Sequence, residues 1–452
     1  MLRSFARTQI ASKHMCRSFS ATVRTLEPKS LFTKHPDDVV LTLAVRTPLC
    51  KAKKGGLKDT PSDVLLVGML KAVQERSGVD PNLVEDIVVG TCHPPSPAYE
   101  ARASAIAAGF PKHVPVQTIN RLCSSGLMAL RSVSDSITKG DIDIGLAVGV
   151  ESMTHNPRPT PKFNSEEIKA NQAATDCAEP MGWTSEMVAA DFNITREKMD
   201  ELGLLSHNRA SEAQKSGRFA DEIVPFKTIL KGEDGLVKEV VLDKDDGIRH
   251  GSTMEGMAKA RSAFPDWGKA RSTGANSSQV TDGAAAALLM RRSTAEKLGL
   301  ADKIIAKHVA TSVVGVEPKY MGIGPASAIP LVEFIAKSCA LLNVALYRKV
   351  LERTGLKISD VDLFEINEAF ASMYVYCVDK LGLDIEKVNV NGGAIALGHP
   401  LGATGIRQVA TGLAELRRRN GKVLCTSMCI GSGMGAAAIF VNETAQKVAA
   451  KL

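Results

Sequence analysis

The sequence predicts an α/β fold in which one unit occurs twice, giving a layered molecule with two mostly parallel sheets and helices, plus an inserted loop domain. Two pairs of stretches carry the duplication. LKAVQERSGVDPNLVEDIVVG at 70–90 reads like RKVLERTGLKISDVDLFEIN at 348–367, each an amphipathic helix, a loop and a strand. CSSGLMALRSVSDSITKGDIDIGLAVGVESM from Cys123 parallels LGATGIRQVATGLAELRRRNGKVLCTSMCIGSG from Leu401: a small-residue turn, a helix of about four turns and a buried apolar strand. The third observation is a change of texture. Residues 153–280 are richer in Lys, Asn, Pro and Met and break the pattern, as an inserted lobe would.

Residues 1–36 read as a targeting segment. The first 26 contain five basic residues and no acid, and RSFSA at 17–21 has the form of a matrix-protease site. They account for five of the seven excess positive charges, so the body carries only +2. Basicity therefore describes the leader and not a nucleic-acid face, and no nucleic-acid partner is expected. With 44% hydrophobic and 23% charged residues the composition is that of an ordinary globular protein. No apolar run approaches the roughly 18 residues of a membrane span, so none is expected.

The first unit covers 37–152 and is completed by an apolar strand within about 281–303. Val116 to Ile119 are expected as a strand, and Leu127, Ala129 and Leu130 as one buried stripe of the following helix, which puts Cys123 at a strand-to-helix turn. Unpaired amides and the helix dipole there favour loss of the thiol proton, making Cys123 a candidate nucleophile. The alternative is a small hydrophobe buried in a tight turn.

The second unit covers 304–452. If the two units face each other across a pseudo-twofold axis, Cys123, His399 and Cys429 come together. Pro325 to Gly355 takes 31 residues where Pro61 to Gly78 takes 18. The surplus, near 331–348, is expected to be a longer surface helix or a stretch absent from the mature chain.

In NGGAIALGHPLGATG at 391–405, His399 is either a general base near neutral pH or a packed loop residue. CIGSGMG sets Cys429 at a tight turn where the amides of Gly431 and its neighbours can hold an oxyanion. NEAF at 367–370 offers Asn367 to orient a water and Glu368 as an acid or a helix cap. The nine cysteines lack CxxC pairs and disulfide density. Cys425 and Cys429 lack companions to complete a metal site, so no metal is expected.

Together these segments resemble the thiolase family, above all its degradative 3-ketoacyl-CoA branch of peroxisomal type. The match runs from about Asp37 to Asn442 through CSSG, GVESM, NSSQVTDGAAA, MGIGPA, FEINEAFAS, GGAIALGHPLGATG and SMCIGSGMGAAA, in family order and spacing. One departure is TGANSS where the family has TAGNSS. The resemblance implies a duplicated thiolase-like fold and thiolytic cleavage of 3-ketoacyl-CoA by CoA, the last step of fatty acid β-oxidation. It implies that Cys123 takes the acyl group, His399 deprotonates Cys123 and Cys429 shuttles the acetyl-CoA proton. His399 with an Asn367-held water forms one oxyanion pocket, and the amides of Cys123 and Gly431 form the other. Ser278 stands near the pantetheine arm, while Met181 of the inserted lobe, with Ala369 and Phe370, completes the CoA-binding set. CoA is a co-substrate, no cofactor is bound permanently, and at least a homodimer is implied.

Three rivals remain. A biosynthetic acetoacetyl-CoA thiolase shares every catalytic residue. A decarboxylating ketoacyl synthase needs a histidine where Asn367 stands, and a redox scaffold using Cys425 and Cys429 has no need of His399. The terminal AKL, Ala450, Lys451 and Leu452, resembles a peroxisomal address and implies an import receptor as partner. The leader points instead to the mitochondrial matrix. The peroxisome is placed first, with dual targeting as the second expectation.

Overall fold

The computed structural model describes residues 31–267, 270–330 and 350–444. The leader up to residue 30, the 331–348 surplus and the terminal Ala450, Lys451 and Leu452 lie outside the described residues. So do the expectations attached to them.

Twelve strands are described: β1 (Val39–Arg46), β2 (Cys50–Lys51), β3 (Asp86–Gly90), β4 (Val116–Ile119), β5 (Ile144–Ser152), β6 (Phe226–Lys231), β7 (Val237–Leu242), β8 (Thr281–Arg291), β9 (Ala306–Gly315), β10 (Leu363–Ile366), β11 (Val423–Ile430) and β12 (Met434–Asn442). In the first half the order is β4-β3-β5-β8-β1. β3 runs parallel to β4 and β5, and β8 is antiparallel to both β5 and β1, so β8 alone opposes the common direction. The second half repeats this with β10-β11-β12-β9, where β12 is the reversed strand. These are the two mostly parallel sheets expected from the repeat. Their edges meet through Val40 with Lys307 and Leu41 with Ala306, which makes the ladder continuous. The counterpart of β4 is reduced to one bridge, Phe364 with Val388.

Local punctuation repeats as well. The first-half helix Ser62–Ser77 stops at Gly78 (φ 66°), and Val350–Thr354 is followed by Gly355 (φ 68°). A left-handed residue after the last turn closes a helix with little strain only when it is glycine. The two helices that follow the functional turns, Ser125–Lys139 and Thr404–Arg418, are both 15 residues long. Leu127, Leu130, Ile406, Val409 and Leu413 share one buried cluster with Val88, Ala147, Leu363 and Leu424. Each such side chain contributes about 1.5–3 kcal/mol on burial. This common core holds the halves together.

The inserted segment is more regular than its composition predicts. It contains the helices Met181–Asp191 and Arg196–Lys215 and the hairpin β6-β7. The longer helix is capped by Thr195, which accepts from Lys198 N, and buries Met199, Gly203, Ser206 and Ala210. Its many polar residues hide this face from a composition argument. The insertion is anchored by Arg46 of β1, fully buried, whose guanidinium meets Glu222 at 2.6 Å and Asp245 at 2.7 Å. Glu222 also accepts from Thr411 Oγ1 at 2.9 Å. Removing one partner of such a pair costs about 3–5 kcal/mol.

Candidate active site

The first functional turn leaves β4. Asn120 Oδ1 accepts Leu122 N at 2.9 Å, and Leu122 takes φ 47°, a left-handed backbone that a bulky residue seldom adopts. Ser125 Oγ donates to Leu122 O at 2.7 Å and accepts from Arg121 N at 3.0 Å, so the turn is closed by its own side chains. Cys123 is thereby presented at the start of its helix, buried, with its own N–H and that of Gly431 directed at the sulfur.

The expected ease of proton loss is overturned here. Burial pushes the Cys123 thiol up, and the two amides and Arg158 offset only part of the shift. Desolvation of a thiolate exceeds what the helix end returns. At rest Cys123 is a protonated thiol.

His399 sits on the equivalent turn of the second half, after Gly398 at φ 106°. Its backbone N–H donates to Thr281 Oγ1 at 3.1 Å. Its Nδ1 lies 2.6 Å from Thr404 Oγ1, and that hydroxyl donates to Pro400 O at 2.8 Å. The hydroxyl proton being engaged, Thr404 accepts from Nδ1–H, and Nε2 is left as the basic nitrogen. Burial, with Arg407 adding to it, pushes the imidazole down to about 3. The ring rests neutral.

Asn367, past the end of β10, donates from its backbone N to Ser427 O at 2.9 Å, and its Nδ2 is 3.3 Å from His399 Nε2. Its Oδ1 is buried and has no hydrogen-bond partner among the described residues, which leaves it able to accept from a water. Glu368 does not cap the helix that follows it, Ala371–Leu381, whose N-cap is Phe370. Its buried carboxylate accepts from Ser206 Oγ at 2.6 Å, Asn389 Nδ2 at 2.8 Å and Ile395 N at 3.1 Å. It ties NEAF to the inserted lobe and the glycine loop. An acid between Asn367 and Ala369 at a strand end is the signal that such an anchor exists.

Cys429 lies near the end of β11, almost fully buried, and burial raises its thiol pKa well above the ordinary range, with Cys123 close enough to add to the effect. The turn continues through Gly431, Ser432 (φ 64°) and Gly433 (φ 88°). A Cβ on Gly431 would come 2.9 Å from Leu122 Cδ1, so the two thiol turns touch. Cys429 shares an apolar cluster with Met321, Ala369 and Met373, against which Met181 and Phe370 pack. Ser278 N donates to Ala369 O at 3.0 Å, and Ser277 bridges to Phe370.

The structure places Cys123, Cys429 and Gly431 on two touching turns, sets His399 against Asn367, and forms a wall of Ser278, Ala369, Phe370 and Met181 beside Cys429. Sequence reasoning passed over Thr404, the second residue of ATG in the glycine loop, and Met321 and Met373 of the wall. Thr404 had a signal, since a hydroxyl five residues after a histidine can reach back across a turn.

Residues 39–293 match the family model for the thiolase N-terminal domain, and residues 336–442 match that for the thiolase C-terminal domain. The chain is 50% identical over 430 residues to the protein of Arabidopsis thaliana named 3-ketoacyl-CoA thiolase 5, peroxisomal, covering 94% of this chain and 89% of that one. It is 47% identical over 405 residues to 3-ketoacyl-CoA thiolase B, peroxisomal, of Rattus norvegicus, covering 89% and 90%. Among solved structures, the dimeric peroxisomal thiolase of Saccharomyces cerevisiae superposes with a TM-score of 0.81 at 44% identity, covering 92% of this chain and 100% of that one.

Proposed function

The chain belongs to the thiolase family, and from that premise we propose that it cleaves 3-ketoacyl-CoA with CoA, releasing acetyl-CoA and an acyl-CoA shortened by two carbons. The observation that carries the reading is the contact between the Cys123 and Cys429 turns, with Gly431 N–H aimed at the Cys123 sulfur.

The Cys123 thiol attacks the keto carbonyl of the substrate while His399 Nε2 takes its proton. The oxyanion lies against the amides of Cys123 and Gly431. Collapse breaks the carbon–carbon bond, leaving the acyl group on Cys123 and the enolate of acetyl-CoA. The imidazolium Nε2–H, with a water held by Asn367, stabilises the enolate oxygen. Cys429 supplies the proton to carbon. CoA then enters, loses its thiol proton to the Cys429 thiolate and takes the acyl group from Cys123, whose released thiolate regains its proton from the His399 imidazolium. Its pantetheine arm runs past Ser278 and the wall of Met181, Ala369 and Phe370.

The degradative direction is supported by relatives whose names specify 3-ketoacyl-CoA thiolase, which leaves the acetoacetyl-CoA synthetic alternative the less supported. Those names also support a peroxisomal location, and the dimeric yeast structure supports a homodimer. Ala450, Lys451 and Leu452 are the segment that an import receptor would read. A fluorescent protein carrying the last ten residues tests this, since diffuse signal refutes it. Thiolysis assayed with acetoacetyl-CoA, 3-ketohexadecanoyl-CoA and free CoA tests the activity. Cleavage of neither substrate sinks the reading.

A further inference from the structure

One buried carboxylate stands between the two converging turns and belongs to neither. Glu151, next to last in β5, is fully buried. Its Oε2 accepts Cys92 N at 3.0 Å and Gly402 N at 2.9 Å, and its Oε1 accepts His93 N at 3.1 Å. A carboxylate withdrawn from water is costly unless hydrogen bonds replace the lost solvation, and here backbone amides of both halves do so.

Two of these amides, those of Cys92 and Gly402, lead to the turns that carry the reacting groups. Cys92 O accepts from Asn120 Nδ2 at 2.9 Å, and Cys92 Sγ donates to Leu122 O at 3.1 Å. Asn120 and Leu122 are the residues that shape the Cys123 turn. Gly402 lies between His399 and Thr404, the residue that holds the imidazole. Backbone approach is very close at this point, because a Cβ on Gly126 would come 2.5 Å from Gly402 O.

We propose that Glu151 is a positioning residue for thiolysis: its carboxylate clamps the loop supporting the Cys123 turn to the loop carrying His399, and so sets the separation of nucleophile and base. The inference rests on the reading of Cys123 as nucleophile and His399 as base.

The clamp requires an acceptor-only group, because protonation turns one oxygen into a donor and releases an amide. Burial pushes the Glu151 carboxyl up to about 7, against the opposing pull of its amide partners. The clamp is therefore whole above neutrality and loses an arm as the pH falls below it. The Cys92 and Cys123 thiols lie within electrostatic reach of it; Arg158 acts on Cys123 and on His93, whose backbone N–H the carboxylate accepts, and Asp282, paired across the sheet with the neighbouring Ser152, has His155 beside it. Burial holds both thiols above their ordinary range and His93 and His399 below theirs.

The test compares the full-length wild type with Glu151→Gln. Intact mass after incubation with an acyl-CoA counts the subunits acylated on Cys123, and thiolysis is expressed per acylable site. The variant is expected to acylate Cys123 and keep KM within about twofold for both substrates. Its kcat per acylable site falls at least about tenfold, as displaced reacting groups predict. The wild-type decline in kcat between about pH 8 and pH 6 is flattened in the variant. A merely structural role would lower the acylable fraction and leave per-site kcat and its pH profile alone. Unchanged per-site kcat overturns the clamp. So does a wild-type kcat that is flat from about pH 6 to pH 8, a measurement that stands even if the variant fails to fold. A wild type that never acylates Cys123 sinks the underlying reading and the clamp with it, whereas the preceding outcomes sink the clamp alone.

Discussion

The turn at Cys123 and the turn at His399 occupy the same place in two copies of one unit, each followed by a 15-residue helix, yet they are built in opposite ways. The first forces Leu122 into a left-handed backbone and closes it with Asn120 and Ser125. The second spends glycines on the bend and takes its support from a hydroxyl, Thr404, which selects the imidazole tautomer. Burial acts on both, with opposite results for the proton. It raises the thiol pKa and lowers the imidazole pKa to about 3, so both groups rest neutral. The lesson is that the pair is not a preformed thiolate and imidazolium. Proton transfer has to accompany attack on the substrate, and the two turns have to be held at the right separation for it.

The comparison breaks most completely at Cys123. Replacing it with Ser removes the thiol of the first turn, and we expect no acyl-enzyme by mass spectrometry and a kcat loss on the order of 10⁴ or more. An acyl group recovered on Cys429 would falsify the division of roles between the thiols. Next in size are His399→Asn and Cys429→Ala, each with a loss of about 10² to 10⁴. They differ in which step fails. His399→Asn slows acylation itself, whereas Cys429→Ala leaves slow acylation from an acyl-CoA thioester while carbon–carbon cleavage and acetyl-CoA proton exchange collapse. Equal mild losses in both steps for both variants would mean that the turns do not divide the chemistry.

A smaller effect is expected at Thr404. Changing it to Val leaves Nδ1–H buried without an acceptor, a penalty of about 1–3 kcal/mol, equivalent to about 5- to 150-fold in kcat if it falls on the transition state. Thr404→Ser retains the hydroxyl and should recover most of the rate. Failure of Ser to rescue would assign Thr404 to packing.

The last comparison concerns stability instead of rate. His399 and His308 are held near 3 and His207 near 4, each chiefly by burial. The unfolded chain binds protons at these positions below about pH 6.5, while the folded chain does not. Stability should therefore fall as the pH drops from about 6.5 toward 4, by up to about 1.4 kcal/mol per pH unit for each histidine. Denaturant unfolding of His308→Gln, which is far from the thiols in function, should show a slope shallower by one such share. An unchanged slope would mean that the ring is hydrated in solution.

The legible parts of this molecule are those written in short local patterns. The repeated helix, glycine stop and strand at 70–90 and 348–367 predict the duplicated halves, and Val116 to Ile119 followed by Leu127 and Leu130 predicts the strand, turn and helix around Cys123. Less legible is the insertion. The helix Arg196–Lys215 presents small buried residues, Gly203, Ser206 and Ala210, in a polar sequence, and composition cannot separate such a face from a loop.

By itself, the sequence determined the unit, its duplication, the residue types at each turn and, through motif order and spacing, the family. These depend on periodicity and on backbone demands that a few neighbouring residues satisfy. Only the tertiary structure decided the protonation states and the long-range contacts: that Cys123 is harder and not easier to ionise, that His399 is neutral and held by Thr404, that Glu368 anchors three segments, and that Glu151 joins amides from both halves. The physical reason is that a pKa or a clamp depends on desolvation and on partners brought in from distant parts of the chain. Gly402 lies 251 residues from Glu151, and no local pattern encodes that meeting.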